Sequence, residues 1–381
     1  MSNSVRIILI GNYLPDKQES MLRFAHMLDN GFRNAGFKSE VWQPTVLFGK
    51  KALNTNAGFG KWLGYLDKWV IFPIVLRWRL LGSGNLRQPT VRFHICDHSN
   101  APYLKQLPID QTSITCHDVL AIRGGLGHVD TYVTASRFGQ ILQRWILNSL
   151  SHAKRLAAVS QLTFDQLQAL IPPHPKHKDW RVIHNAFNAE FWPMDARQAS
   201  SLIKQTELDL NVPFLLHVGS GHPRKNRLLL LDMVAILGKQ WQGNICFAGE
   251  ALDSTLLEHS EILGLRQRII SIVKPDHHVL VALYSTCAAF VFPSYTEGFG
   301  WPVIEAQACG RPVIASNVAP MPEVSGGAAL HAAPTDAQAF ADAFLSLIDD
   351  SKRTNLIAAG LANCRRFELN HILSAYLELI M

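Results

Sequence analysis

No stretch of the 381 residues stays apolar long enough to cross a bilayer. The run from Trp69 to Leu76 is broken by Pro73 and falls far short of the roughly 18 residues that a transmembrane helix needs. MSNSV passes straight into Ile7–Ile10 with no basic region, apolar region and small-residue cleavage site in series, so no secretory leader is expected. Cysteines are few: Cys96, Cys116, Cys246, Cys287, Cys309 and Cys364. They form no CxxC pair and several lie in apolar runs, which argues against a disulfide frame or a zinc site and for buried, reduced thiols of a cytoplasmic protein. Gly11, after the first apolar run, has no GxGxxG around it, against a dinucleotide-binding dehydrogenase. A P-loop, internal repeats and low-complexity tracts are also lacking. Acids number 30 against 36 Lys and Arg, a net charge of +6 that favours anionic partners such as phosphates, a lipid headgroup surface or nucleic acid.

What is present is a long alternation of short apolar runs and helical segments. In the first half, strand-like runs begin at Val5, Ser39, Val91, Thr112, Arg155 and Arg181, the last after the Pro-rich connection IPPHPKHKDW. After a polar stretch from Met194 to Asn211, read as a linker with some helix, the pattern restarts at Phe214, Asn244, Ile269, Cys287 and Val313. Such alternation predicts an α/β protein with parallel sheets, and the length suggests two domains, 1–192 and 193–366.

The most informative stretch is Cys287–Ser316. An apolar strand ends at Pro293, and a polar loop carries Gly298 and Gly300. A helix then takes Pro302 into its first turn and ends at Gly310. Glu297 lies in the loop and Glu305 in the helix, at the carboxyl end of a strand, where open α/β sheets bind ligands. A helix N-terminus there favours an anion, and a sugar phosphate suits the whole set. The plainer reading makes Glu305 a solvated helix residue and Glu297 a loop charge. A second loop, GSGHPRKN from Gly219 to Asn226, places Arg224 and Lys225 before a helix start, where a diphosphate would find cations and backbone donors together.

Two first-half strands end at Asp97-His98 and His117-Asp118, plausible polar residues of a cleft. His94, Asp97 and His98 can also be read as metal ligands, although no third histidine at helical spacing accompanies them. From Lys50 to Arg87 seven bases face one acid, Asp67, with Trp62, Tyr65, Trp69, Phe72 and Trp78 interleaved. That composition suits either a helical surface lying on an anionic membrane or a core whose bases form a solvated rim.

Together, SYTEGFGWPVIEAQACGRPVIAS, VGSGHPRKN, AAVS at Ala157–Ser160, VIHNAF and the pair His117-Asp118 resemble the retaining glycosyltransferases of GT-B fold that carry an EX7E motif, the group 1 or family 4 type. The resemblance implies two Rossmann-like domains facing across a cleft, with a C-terminal helix near 367–381 packing back on the first. It implies that Glu305 holds the donor ribose and Glu297 contacts the sugar. Gly298, Phe299 and Gly300 would present backbone N–H groups to sugar and phosphate, and Gly219 and Ser220 would line the donor site. Lys225 and Arg224 would neutralise the departing diphosphate, and His117 would sit near the sugar. Asp118, Asp97 and His98 would fall on the acceptor side. Ser220 stands where many members have arginine, and Asn185-Ala186 replaces the usual Asn-Gly.

The expected chemistry is hexosyl transfer with retention, from a nucleotide-diphosphate sugar to a glycan or lipid-linked acceptor, in cell-envelope polysaccharide or glycolipid synthesis. Neither cofactor nor metal is expected. A cytoplasmic site at the inner face of the plasma membrane goes with it. Rival readings are a glycoside hydrolase using Glu297 and Glu305 as acid and nucleophile, and a non-catalytic nucleotide-sugar-binding scaffold. Nucleic acid is not an expected partner, since no recognised module accompanies the basic residues.

Overall fold

In the computed structural model each half of the chain builds a six-stranded, fully parallel sheet. The structure describes residues 5–51, 55, 58–82, 84–171 and 178–381; most of the Pro-rich connection after Ile171 and parts of the basic segment lie outside them. The chain divides into two units. The first runs through Val129, resumes at Val133–Asn188 and takes back Leu369–Met381; the second holds Asp130–Tyr132 and Ala189–Glu368.

In the first unit β1 (Arg6–Ile10), β2 (Lys38–Trp42), β3 (Val91–Ile95), β4 (Thr112–Cys116), β5 (Arg155–Ala158) and β6 (Asp179–Val182) lie in the order β2-β1-β3-β4-β5-β6. The strands are apolar on both faces because helices cover both. Ile8 and Ile10 point into one core with Phe93, Ile95 and the helix residues Phe72 and Leu76. Ile7 and Leu9 point into the other with Phe24, Phe32 and the C-terminal helix residues Leu373 and Tyr376. That is the two-residue period of a strand serving two layers. The C-terminal helix Leu369–Ile380 approaches the helix Glu19–Asn34 closely at Gly31, where an added Cβ would lie 3.0 Å from Leu373.

In the second unit β7 (Phe214–Gly219), β8 (Asn244–Gly249), β9 (Ile269–Val273), β10 (Ala289–Phe292), β11 (Val313–Ser316) and β12 (Leu330–Ala332) lie in the order β12-β11-β10-β7-β8-β9. Counted from β7, this is the doubly wound order 3-2-1-4-5-6 of dinucleotide folds.

One local expectation holds in part and two need correction. Met194–Asn211, read as a linker with some helix, does carry one, Ala196–Ile203 capped by Asp195, but Met194, Ala199, Ile203 and Leu208 enter the core, so the segment is packed rather than free. Ala199 and Ile203, four apart, make an inward stripe that the polar composition concealed. The last strand of the first sheet lies two residues earlier than the apolar reading put it, at Asp179–Val182. Cys287, read as the first residue of a strand, instead caps the preceding helix, and β10 begins at Ala289.

Candidate active site

The strand order of the second sheet reverses between its neighbours β7 and β10, so the loops leaving them diverge and open a crevice at their carboxyl ends. These are the loops that carry the candidate cations and the candidate acid. The turn Pro223–Lys225 follows β7 and is closed by Asn226 at φ 52°, while Pro293–Gly300 follows β10. Asn226 pins the two together, its amide donating to Pro293 O at 3.1 Å and to Pro334 O at 2.7 Å. The Tyr295 N–H donates to Arg224 O at 2.8 Å, and the Arg224 guanidinium donates to Thr296 O at 3.0 Å.

Glu297 sits at the centre. It is 7% exposed and accepts from Lys225 Nζ at 2.6 Å on one oxygen and from Arg224 Nη1 at 2.6 Å on the other. Burial alone would raise its pKa, but Lys225 and Arg224 outweigh burial and hold it below the usual carboxylate range. Burial draws the Lys225 ammonium downward against the attraction of Glu297, and Lys225 also lies 4.9 Å from the centre of the Phe292 ring. Two cations meet one carboxylate directly, so this contact cluster is itself positive, with Glu305 acting on Lys225 from further off. The helix Arg227–Leu237 begins just beyond Asn226, and its dipole adds to that potential.

Glu305 is not the solvated helix residue of the plainer reading: it is 8% exposed and accepts from the Tyr284 hydroxyl at 2.8 Å. Its helix, Trp301–Ala308, starts at Gly300 with φ 100°, where a Cβ would lie 2.5 Å from the Met321 methyl. Phe299 is buried edge-on to Trp301 and Phe367, and Gly298 precedes it in the loop. Gly219 ends β7, and Ser220, partly exposed, starts the loop.

Sequence reasoning missed several residues here. His217 on β7 is fully buried, with Nδ1 3.1 Å from Val291 O, so that nitrogen carries the proton. Burial pulls its pKa down to about 3, and the imidazole is neutral. A lone histidine in the apolar run FLLHV was the available signal. Gly249 has φ 126° and stands so close to β7 that a Cβ would lie 2.4 Å from Gly219 O. Glu250 accepts from the Gly221 N–H at 2.7 Å and braces the cation loop from β8. Tyr284 gave no signal, because its role is a contact made only in the fold.

The remaining candidates belong to the first unit. His117 is buried, its Nε2 2.9 Å from Cys96 O and its ring edge-on to Phe24. Burial lowers its pKa against the pull of Asp97. Asp97 caps the turn beginning at His98, accepting from the Ser99 N–H at 3.0 Å and from Asn12. His98 Nδ1 lies 3.2 Å from Asp97, and Asp118 accepts from the Leu120 N–H at 2.9 Å. His94 leaves the metal-ligand reading: its nitrogens meet Ser113 Oγ at 2.8 Å and Thr115 Oγ1 at 2.9 Å, and burial takes its pKa to about 3. The first sheet reverses order between β1 and β3, and at that point lies a cavity of about 250 Å³ lined by Asn12, Asp16, Tyr65, Lys68, Trp69 and Asn100.

Residues 199–361, which hold both loops, match the family described as glycosyl transferases group 1. Through this segment the chain is similar to the glycosyl transferases group 1.

Relatives point the same way. The O-antigen chain mannosyltransferase B of Escherichia coli is 30% identical over 235 residues, 59% of this chain and 60% of that protein, so the chain spans about three fifths of the relative's length. Among solved structures, sucrose-phosphate synthase from Thermosynechococcus elongatus superposes with a TM-score of 0.74 at 20% identity, covering 98% of each chain. Anabaena HepE in complex with UDP-glucose gives 0.70 at 17% identity, also over 98% of each. At such identities these structures speak for the fold, which is GT-B.

Proposed function

We propose that the chain is a retaining hexosyltransferase that takes its sugar from a nucleoside-diphosphate donor and passes it to a glycan or lipid-linked acceptor in cell-envelope polysaccharide or glycolipid synthesis. One observation carries the reading: Lys225 and Arg224 converge on buried Glu297 at the switch point of a 3-2-1-4-5-6 sheet. Cleavage of the bond from the anomeric carbon to the diphosphate builds negative charge on the β-phosphate. Buried, fixed cations and a helix N-terminus stabilise such charge without reorganising. Before donor binds, Glu297 holds both cations in place; with donor bound, the diphosphate shares them and Glu297 turns to the sugar hydroxyls. Glu305, oriented by Tyr284, holds the ribose.

In this reading the two side-chain cations meet the leaving-group charge, and no metal or other cofactor takes part. UDP-glucose in HepE supports a nucleotide-sugar donor, and the E. coli mannosyltransferase makes mannose the first sugar to try. The cavity at the switch point of the first sheet, with Tyr65 and Trp69 for sugar faces and Asn12, Asn100 and Asp16 for hydroxyls, is suited to an acceptor glycan. The reaction takes place in the cytoplasm, at the inner face of the plasma membrane.

The hydrolase reading is disfavoured by charge. A general acid needs a raised pKa, whereas the cations lower that of Glu297. A thermal-shift screen across UDP-, GDP- and ADP-sugars, followed by a transfer assay with and without EDTA, tests the proposal. Stabilisation by one donor class, and transfer that survives EDTA, are expected. No shift with any donor, or cleavage of a simple glycoside instead, overturns it.

A further inference from the structure

Helical backbone runs from Gly58 through a π turn at Asp67–Ile71 to Gly82, about 37 Å at 1.5 Å per residue. Its inward side buries Phe72, Leu76 and Leu80. Its outward side is also apolar: Phe59, Trp62, Leu66, Val70, Ile74 and Trp78 are all exposed, Phe59 by 77% and Trp78 by 74%. Most of these residues are four apart. In an unbroken α-helix such a row drifts by about 40° per step. The π turn takes more residues per turn and resets the drift, so the row stays on one side. Neighbours extend it: Phe138 packs on Trp62 with ring centres 4.8 Å apart, and Ile141 stands exposed one turn on.

The charges around the row are predominantly basic: Asp16 reaches the strap but is paired with Lys68 at 2.6 Å, with 10% of its side chain exposed. Between Glu40 and Asp97 the sequence holds a single acid, Asp67, and it is fully buried. Asp67 accepts from the Tyr13 hydroxyl at 2.6 Å and from the N–H groups of Leu47, Phe48 and Gly49, fixing the exposed Leu47 and Phe48 beside the row. Lys50 and Arg77, with Arg137 and Arg144 beyond Phe138, are exposed at its margins. No helix among the described residues is long and apolar enough to cross a membrane.

We propose that this face docks the protein in the headgroup region of an anionic bilayer, the helical strap lying in the interface plane with its aromatic and aliphatic row facing the acyl chains. A protein partner would have to offer an apolar trough rimmed with acids. An anionic bilayer offers an apolar layer under negative charge everywhere, which is the complement of this surface. Trp62 and Trp78 suit that depth, since indole is amphipathic. The inference is independent of the transferase reading.

The test is flotation of the full chain with vesicles of phosphatidylcholine alone and of phosphatidylcholine with phosphatidylglycerol. Binding to the mixed vesicles, weakened by salt, is expected. Ile74→Ser and Trp78→Ser should each lower partition about tenfold, the effect of keeping one large apolar side chain out of water. Lys50→Glu with Arg77→Glu should abolish the preference for anionic lipid. Thermal melts confirm that each variant is folded. Wild-type protein that stays in the soluble fraction, or folded Trp78→Ser protein that floats as well as wild type, overturns the proposal. So does a dimer in sedimentation analysis that Trp78→Ser abolishes, without vesicle binding, since that would make a second copy the occupant.

Discussion

Replacing Lys225 with alanine tests the site most directly. Its ammonium is held 2.6 Å from Glu297 with only 10% of the side chain exposed, against 22% for Arg224, so it works in the lower dielectric of the two. Losing one fixed donor to a developing oxyanion costs about 2.7–4 kcal/mol, or 10²–10³ in kcat. The expected fall for Lys225→Ala is therefore about 10²–10³, and that for Arg224→Ala smaller. Because both cations grip one carboxylate, the double variant should depart from additivity. Folding is also affected. Glu297 keeps Arg224 alone, and breaking a buried pair completely costs about 3–5 kcal/mol, so the Lys225→Ala loss should stay below that range. The two effects separate in single-turnover transfer assays on protein shown to be folded by circular dichroism, with ethylammonium added as a surrogate cation. Partial recovery of rate with ethylammonium is expected. Folded Lys225→Ala protein turning over within about threefold of wild type would refute the assignment of Lys225 to the leaving group.

Three further outcomes follow from the geometry. Glu297 has a folded pKa below its ordinary 4.5, so its stabilising contribution is complete above that value and is lost as pH falls through the folded pKa; urea midpoints from neutral to acid pH should fall less steeply in Glu297→Gln than in wild type. Gly249→Ala should destabilise by about 2 kcal/mol or more, because its Cβ meets backbone at Gly219 and its φ is positive, whereas Gly300→Ala meets the flexible end of Met321 and should lose less in the same denaturation series. Tyr284→Phe removes the hydroxyl on Glu305, a hydrogen bond to a charged group worth about 1.5–3 kcal/mol; calorimetry should show weaker donor binding, with kcat less affected than affinity.

Much of this was legible in the chain. Continuous apolar runs such as RIILI and AFVF announce strands buried on both faces, and Pro302 with Gly310 brackets the helix that bears Glu305. The three-residue strand Leu330–Ala332 was missed, because a run that short has no measurable period. Some helix was expected after Asp195, but its polar composition hid the fact that it packs into the core.

Local sequence determined which segments are strands and helices, since side-chain periodicity and turn chemistry act over a few residues. It also put Glu297 on a loop and Lys225 before a helix. Only the tertiary structure decided that these two side chains, 72 residues apart, form one ion pair, because strand order is set by how the sheet buries its faces. It alone paired Tyr284 with Glu305, brought Gly249 against Gly219, and left the Phe59–Trp78 row uncovered while burying Asp67 beneath it. The sequence could state the row's composition. Whether that row faced core or solvent depended on the π turn and on which side of the strap the sheet occupied.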